Sequence, residues 1–457
     1  MTSDPILSHA RPPGPGALQA LSLGKRMRHD SPAVFSELQR TWGDVVRLHV
    51  PLVPGGSLHE MHAVFHPDAI ANVLVHQESD YGKGYSLELG RVLGKGLVNS
   101  EGDLWLRQRK AVGAKFSPQA LSDSISSMVT VVDEVIDRWD CNKIDGATVD
   151  ITDEVQKVAF QISCHILFGM DLTSESQRVR DNLGYALYVA FLRISALYNI
   201  PIWVPTPRHV HFAKAMRELV AVIENIMKRY LAGEALPGDN VLARLMAGAI
   251  PGDPASLLQV RDEIMTALMV SHETSSAAMA WTLHNLAAHP AHAEALTKEV
   301  DSVLGGSKPT SGNLQSLVMV RQFIEETLRL KPSIPAFTRV AKKDVTLAGY
   351  GIPSGATIWL VPYVTHRHPD FWDDPETFDP TRFTPEKAQQ RNRFAYFPFS
   401  HGKRSCIGEY MAMGEAQALV IRILQRFRLE PIGDSPKYQS YITLRPAGKV
   451  LARVFRR

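Results

Sequence analysis

The chain has 457 residues, of which 45% are hydrophobic and 21% are charged, as in an ordinary globular protein. Its formal net charge of +3 is nearly balanced and argues against general nucleic-acid binding, which needs a strongly basic face. The three cysteines, Cys141, Cys164 and Cys406, are too few for a disulfide framework and are typical of a reducing compartment.

The N-terminal region shows neither a targeting signal nor a membrane segment. Residues 1–10 include Asp4 and His9 and lack the apolar centre of a secretory signal. No later run reaches the ~18 apolar residues that span a bilayer. Residues 11–16 are rich in proline and glycine. We therefore expect a cytoplasmic protein in which an N-terminal segment, residues 1–16, precedes a single domain over residues 17–457.

Strands are predicted towards both ends of the chain and helices between them, from hydrophobic periods of two and 3.6 residues. The predicted strands are residues 44–50, 62–65, 345–347, 357–361, 442–444 and 450–454, and the last two are expected to pair with each other. The clearest predicted helices are residues 120–139, 153–168, 211–231, 261–288 and 317–330. This order favours a mostly α fold with small β-sheets.

The predicted helix over residues 261–288 is apolar on nearly all sides, which is typical of a helix buried in a large core. Polar residues inside such a helix are informative because burial of a polar group is costly. They are Thr266, Ser271, His272, Glu273 and Thr274.

One glycine-rich segment resembles a nucleotide-binding loop but lacks a required residue. Residues 82–84 read Gly-Lys-Gly, and Leu87 follows where the pattern G-x-G-x-x-G needs its third glycine. The sequence therefore predicts no nucleotide-binding function for this segment.

Residues 399–408 fit the pattern F-x-x-G-x-R-x-C-x-G. Gly402 permits a tight turn, and Arg404 offers a planar, permanently charged fork suited to a carboxylate. Apolar residues over 411–421 predict a buried helix that begins just after Cys406. The sulfur therefore lies near a helix N-terminus, where backbone N–H groups favour the thiolate over the thiol.

This segment resembles the haem-thiolate signature of the cytochrome P-450 superfamily. The resemblance implies the cytochrome P-450 fold, with Cys406 as the ligand of the iron in haem b and O2 as the co-substrate. A thiolate ligand favours O–O cleavage. The resemblance also places five more residues of this region against the haem: Phe399, Gly402, Arg404, Gly408 and Ala412.

Residues 270–275 resemble the family's oxygen-activation motif, [AG]-G-x-[DE]-T-[TS], and depart from it at Val270 and Ser271. The resemblance implies that Thr274 holds water beside bound O2 and that Glu273 relays protons. We expect Ser271 to replace the missing glycine. Its hydroxyl either bonds back to the carbonyl of Ala267 and bends the helix, or holds the water that Thr274 relays.

Three further motifs extend the resemblance over residues 105–416. An E-x-x-R pair, Glu326 and Arg329, is expected to form a buried structural network with Arg382 of a P-x-R-F segment. Two other matches, a W-x-x-x-R motif and the arginine that ends residues 335–339, imply ligands of the haem propionates. The residues concerned are Trp105, Arg109 and Arg339.

The resemblance also indicates which side chains line the substrate pocket. The set is mostly apolar with several phenols, which favours a lipophile such as a terpenoid, a fatty acyl chain or a polyketide. Its members are Tyr85, Leu87, Leu97, Val98, Tyr188, Phe191, Val270, Ile334, Ala336, Tyr441 and Ile442.

We therefore expect a monomeric monooxygenase of secondary metabolism that hydroxylates or epoxidises a lipophilic substrate. Electrons from NAD(P)H would arrive through a separate ferredoxin or flavodoxin and its reductase, on a face near Cys406 that carries Lys110, Lys115 and Lys403. Three alternatives stay open at this point. The first is a haem-thiolate peroxygenase or an oxidative coupling or rearrangement enzyme, the second is a haem sensor or carrier without enzymatic activity, and the third is a helical interaction protein without haem.

Overall fold

A computed structural model describes residues 10–51, 58–84, 87–141, 145–169, 176–194, 199–233, 240–250 and 252–457. The molecule is mostly helical with small β-sheets, as the sequence predicts. The helices are α1 (Ala17–Trp42), α2 (Pro67–Ala71), α3 (Leu87–Leu93), α4 (Gly102–Gly113), α5 (Pro118–Cys141), α6 (Ile151–Phe168), α7 (Ser176–Ile194), α8 (Pro207–Leu231), α9 (Val241–Ala247), α10 (Pro254–Ala288), α11 (Pro290–Leu304), α12 (Ser311–Leu314), α13 (Val318–Leu330), α14 (Pro362–Thr365), α15 (Pro385–Gln390) and α16 (Glu409–Arg426).

The strands form small separate sheets at the margins of the helical core. They are β1 (Val45–Pro51), β2 (Leu58–Val64), β3 (Tyr81–Gly82), β4 (Ala147–Asp150), β5 (Phe337–Ala341), β6 (Val345–Leu347), β7 (Tyr350–Ile352), β8 (Thr357–Leu360), β9 (Phe427–Pro431), β10 (Tyr438–Ser440), β11 (Leu444–Pro446) and β12 (Leu451–Arg456). The largest sheet has the order β1-β2-β8-β5-β3, in which only the pair β2 and β8 is parallel.

The expected pairing of residues 442–444 with residues 450–454 is wrong. Strand β11 pairs with β10, whereas β12 lies between β4 and β9. Residues 442 and 443 belong to the turn before β11, where the Tyr441 N–H donates to the Thr443 carbonyl at 3.2 Å. Alternation of apolar and polar residues identifies a strand, but it carries no information about the strand's partner.

Helix α10 forms the centre of the fold. It begins at Pro254, earlier than predicted, because Asp253 caps it by accepting from the N–H groups of Ala255 and Ser256. The other predicted helices lie within α5, α6 and α8 and, except for its first residue, within α13. The largest core cluster joins apolar residues of α5, α6, α10, α13 and α16. Among the helices that the structure describes, none combines the length and apolar character needed to cross a membrane.

The three predicted network residues come together beneath this core. Glu326 and Arg329 of α13 are fully buried, and Arg329 Nε and Nη2 donate to the two oxygens of Glu326 at 2.7 and 2.8 Å. Arg382 places its Nε 3.6 Å from Glu326 Oε1. The Arg329 guanidinium also donates, at 2.6 to 3.1 Å, to three main-chain carbonyls, those of His366, Pro375 and Thr377.

His366 connects this network to the chain just before the cysteine loop. Its Nε2 accepts from the Phe397 N–H at 2.9 Å. Burial, with the nearby Arg329 guanidinium, holds the pKa of His366 well below its usual value, so the ring stays neutral and can accept. Because Phe397 lies two residues before Phe399, the network fixes where the loop begins.

We predict that Glu326→Ala destabilises the protein by roughly 3–5 kcal/mol, because it leaves Arg329 buried and unpaired. Urea unfolding and the haem content of purified protein measure the effect, and little haem-loaded protein is expected. The control is Glu294→Ala, which removes an exposed ion pair with Lys298 on α11 and should leave the urea midpoint unchanged. A Glu326→Ala protein that is stable and full of haem, yet inactive, would mean that the role is catalytic.

Candidate active site

The loop before α16 has a backbone that depends on Gly402. The residue has a φ of +76°, and a Cβ built on it would lie 2.1 Å from the carbonyl oxygen of Leu74. The Cys406 N–H donates to the Phe399 carbonyl at 2.8 Å, and the Ser405 N–H donates to the Gly402 carbonyl at 3.0 Å. These bonds close the loop, so that Cys406 lies directly before the first turn of α16.

The Cys406 side chain is accessible, yet burial among protein atoms is the main cause that raises the pKa of its thiol above the usual value, so the sulfur faces a cleft within the protein. The backbone N–H groups of Gly408 and Glu409 and the charge of Arg109 offset part of this rise. The groups that lower the pKa are those of a helix N-terminus and a neighbouring cation. The next turn of α16 is regular, with the Ala412 N–H donating to the Gly408 carbonyl at 2.9 Å.

We predict that Gly402→Ala prevents formation of the cysteine loop. A non-glycine residue at positive φ costs roughly 1–2 kcal/mol by itself, and the contact with Leu74 adds to this cost. Gly355→Ala is the matched control, since Gly355 has a φ of +81° but has no atom near its Cβ position. Thermal unfolding and haem content should show a small loss of stability with full haem for Gly355→Ala, and apoprotein for Gly402→Ala. Equal haem content in the two variants would contradict the role given to the Leu74 contact.

Four cationic side chains converge beside the loop. Arg404 lies 4.2 Å from the Trp105 ring and donates to the Ser100 carbonyl at 2.8 Å. Arg109 lies 5.7 Å from the same ring and donates to the Ser405 carbonyl at 2.9 Å. On β5, the buried Arg339 is the third member. The predicted propionate ligands therefore share one region, with Trp105 between two of the guanidinium groups.

Lys83 is the fourth cation, and sequence reasoning missed it. Burial and the charges of Arg339 and Arg404 lower the pKa of Lys83 to about 7, and burial and Arg404 lower the pKa of Arg339 to about 10. The Glu101 carboxylate accepts from the Lys83 and Gly84 N–H groups and supplies part of the opposite charge. The signal in the sequence is the Gly-Lys-Gly segment, which resembles a nucleotide-binding loop and does not indicate a cationic cluster.

Helix α10 presents one partly accessible face in its central, otherwise buried part. Ala267, Val270 and Thr274 recur at intervals of three and four residues, which places them on one side of the helix. The Thr274 hydroxyl donates to the Val270 carbonyl at 2.8 Å. The neighbouring side chains of Leu268, Met269 and His272 are buried, so this face is the accessible side of a largely buried stretch of α10.

Ser271 makes the back-bond that we expected. Its hydroxyl oxygen lies 2.7 Å from the Ala267 carbonyl and 2.8 Å from the hydroxyl oxygen of Ser163 on α6. The residue therefore lies where α10 packs against α6, beside the face that carries Val270 and Thr274. This position favours the first of the two expected roles, in which the hydroxyl satisfies a carbonyl within the helix.

Glu273 turns towards the C-terminal hairpin. Its Oε1 accepts from the Thr443 hydroxyl at 2.8 Å and from Arg445 Nη1 at 3.3 Å. Neither partner was among the predicted site residues, and both lie about 170 residues away along the chain. Glu273 and its neighbour Thr274, the acid–alcohol pair of α10, therefore lie where α10 meets β11.

The chain is similar over most of its length to known proteins of one family. The family model for cytochrome P-450 matches residues 11–451. The human cytochrome P-450 4X1 is 29% identical over 417 residues, which are 86% of this chain and 81% of the relative. A Streptomyces melanosporofaciens enzyme, cyclooctat-9-en-7-ol 5-monooxygenase, is 28% identical over 374 residues and 80% of either chain. The crystal structure of the cytochrome P-450DA heme domain matches with a TM-score of 0.84, at 24% identity over 98% of both chains.

The chain belongs to the cytochrome P-450 family. It is accordingly a monooxygenase, an oxidoreductase that uses haem and O2 and receives electrons from a redox partner. This confirms the fold and the enzyme class that the cysteine loop predicted.

The side chains fit the haem of a cytochrome P-450. The accessible Cys406 thiol would supply the iron ligand. The cluster of Lys83, Arg109, Arg339 and Arg404 would supply positive charge for the two propionates. Burial, together with the mutual repulsion of these charges, lowers the pKa of Lys83 and of Arg339, and a bound dianion would relieve the repulsion.

The predicted pocket residues divide into three groups. Tyr188 and Phe191 of α7 place their rings 5.3 and 4.9 Å from the Tyr441 ring, so this trio is a real cluster. The second group consists of partly accessible aliphatic side chains, which have no aromatic ring to stack on Tyr441. Its members are Leu97, Val98, Val270, Ile334, Ala336 and Ile442. The third group lies outside the description, because the structure does not describe Tyr85 or the side chain of Leu87.

Proposed function

We propose that this cytochrome P-450 hydroxylates or epoxidises a lipophilic organic substrate, with haem b bound through Cys406. The observation that carries the proposal is the accessible interior thiol beside a cluster of four cations. Haem held by a thiolate activates O2, and one oxygen atom enters a C–H or C=C bond of the substrate. For hydroxylation, the other atom leaves as water, which requires two electrons and two protons.

In this proposal, the chain's own residues deliver the protons and shape the pocket. Thr274 holds water on the accessible face of α10, and its neighbour Glu273 passes protons to that water. Ser271 maintains the helix at this point by satisfying the Ala267 carbonyl. The Glu326–Arg329 pair stays structural, since both side chains are buried far along α13 with main-chain partners.

The substrate class in the proposal is a terpenoid, fatty acyl or polyketide lipophile, as part of secondary metabolism. Its support is the aromatic cluster of Tyr188, Phe191 and Tyr441, which offers apolar area with phenol groups at the edge. A relative at 28% identity is named for an unsaturated alcohol, cyclooctat-9-en-7-ol. A panel of farnesol, geranylgeraniol and myristic acid, with product analysis by mass spectrometry, tests the class.

The remaining elements of the proposal are a monomer in the cytoplasm and electrons from NAD(P)H through a ferredoxin or flavodoxin and its reductase. A basic patch close to the cysteine loop supports the docking of an acidic electron carrier. Lys403 is 76% exposed, 3.6 Å from Glu78, and Lys110 is exposed on α4. Lys115, at the end of the same segment, is half-buried.

We predict that Cys406 is the iron ligand. The reduced protein with carbon monoxide should show the red-shifted Soret band of a thiolate ligand. Cys406→His should replace this band with an imidazole-type spectrum, whereas Cys164→Ala should keep it, because Cys164 is a buried cysteine of α6. A thiolate spectrum in Cys406→His would refute the assignment.

We also predict that reduction by an acidic ferredoxin slows as ionic strength rises, because exposed charges steer the encounter. Stopped-flow reduction rates at ~0.05 and ~0.3 M salt measure this, over a range in which the Debye length falls about 2.5-fold. Lys403→Glu should slow reduction at low salt, and Lys298→Glu on α11 is the matched exposed control. A rate independent of salt would count against docking on this face.

A further inference from the structure

The C-terminal hairpin of β10 and β11 is fastened along α10 at several points. Trp281 Nε1 donates to the Leu444 carbonyl at 3.0 Å in a buried bond. Ser333 bridges the two elements, since its hydroxyl donates to the Thr274 carbonyl at 3.0 Å and its carbonyl accepts from the Leu444 N–H at 2.9 Å. The hairpin therefore keeps a fixed position beside the acid–alcohol pair.

Two hairpin side chains hold the acid itself. Thr443 and Arg445 both donate to Glu273 Oε1, at 2.8 and 3.3 Å, so neither contact uses the other carboxylate oxygen. The Glu273 side chain is only 13% exposed, and water therefore competes poorly for these bonds. Charge-assisted bonds of this kind fix the direction in which a carboxylate points.

Arg445 is itself oriented by the hairpin. Its Nε and Nη2 donate to Gln439 Oε1, each at 3.3 Å. The Gln439 amide nitrogen donates to the Tyr441 hydroxyl at 2.7 Å, and the Arg445 guanidinium carbon lies 5.8 Å from the Tyr441 ring. With Tyr441 in the aromatic cluster, these contacts are continuous from that cluster to Glu273.

We propose that Thr443 and Arg445 are positioning residues for proton delivery, which aim the Glu273 carboxylate at the water held by Thr274. Thr443 supplies one short hydrogen bond, and Arg445, held by Gln439, supplies the charge. This inference rests on the proposed function, in which Glu273 relays the two protons that each O2 consumes. The inference names the two side chains that determine the orientation of the Glu273 carboxylate in that relay.

The test compares Thr443→Val and Arg445→Gln with Glu273→Gln, which removes the acid. The measurement is O2-dependent NADPH consumption with a plant-type ferredoxin and its reductase, without substrate and with farnesol as the probe, in H2O and in D2O. A positioned general acid contributes about 10²–10⁴-fold, so a misaimed one should slow consumption roughly 10-fold and raise the solvent isotope effect. Thr443→Ser keeps the hydroxyl and should restore both values.

The carbon monoxide spectrum of each variant shows that haem and its thiolate are intact, and a merely structural role would not change the isotope effect. If one variant fails to bind haem, the other still tests the inference. Suppose that Glu273→Gln is impaired but Thr443→Val and Arg445→Gln both keep the wild-type rate and isotope effect. The positioning role would then be wrong, whereas the proton relay through Glu273 would stand. A Glu273→Gln protein with wild-type behaviour would overturn the relay, and the positioning role with it.

Discussion

The buried charge of Arg329 is the constraint on which the geometry of the cysteine loop depends. A buried guanidinium is tolerated only where its donors are paired, and here Glu326 and three main-chain carbonyls surround it. Pairing those carbonyls fixes residues 366–377, and His366 then fixes Phe397. The position of Cys406 is thus set partly by a charge pair that lies in a different element and never touches the haem site.

The parts of the structure that local sequence specifies could be predicted. The period of 3.6 residues located α5, α6, α8, α10 and α13, because an amphipathic or fully apolar pattern is a property of one segment. The cysteine loop was equally local, since Gly402 and Arg404 stand within a few residues of Cys406. The bond from Ser271 to the Ala267 carbonyl followed from the same reasoning, as it spans a single turn of helix.

What could not be predicted depends on contacts between distant segments. The predicted pairing partner of β11 was wrong because the alternation of apolar and polar residues does not determine which strands pair. Lys83 joins the cationic cluster only because β3 pairs with β5, which brings its loop to Arg339. Arg445 meets Glu273 across 172 residues, and a lone arginine in a short strand gives no signal of such a contact. The roles of Lys83 and Arg445 can therefore be recognised only from the three-dimensional structure.

The hairpin of β10 and β11 also limits how this enzyme can acquire new substrates. Tyr441 belongs both to the aromatic cluster and, through Gln439, to the support of Arg445. In laboratory evolution, replacement of Tyr441 should therefore change substrate selectivity and also increase the amount of reductant that is consumed without forming product. Tyr188 and Phe191 belong to the same cluster but stand on α7, so their replacement keeps the Gln439 and Arg445 side chains that hold Glu273. Libraries built on those two positions should shift selectivity while reductant use stays efficient.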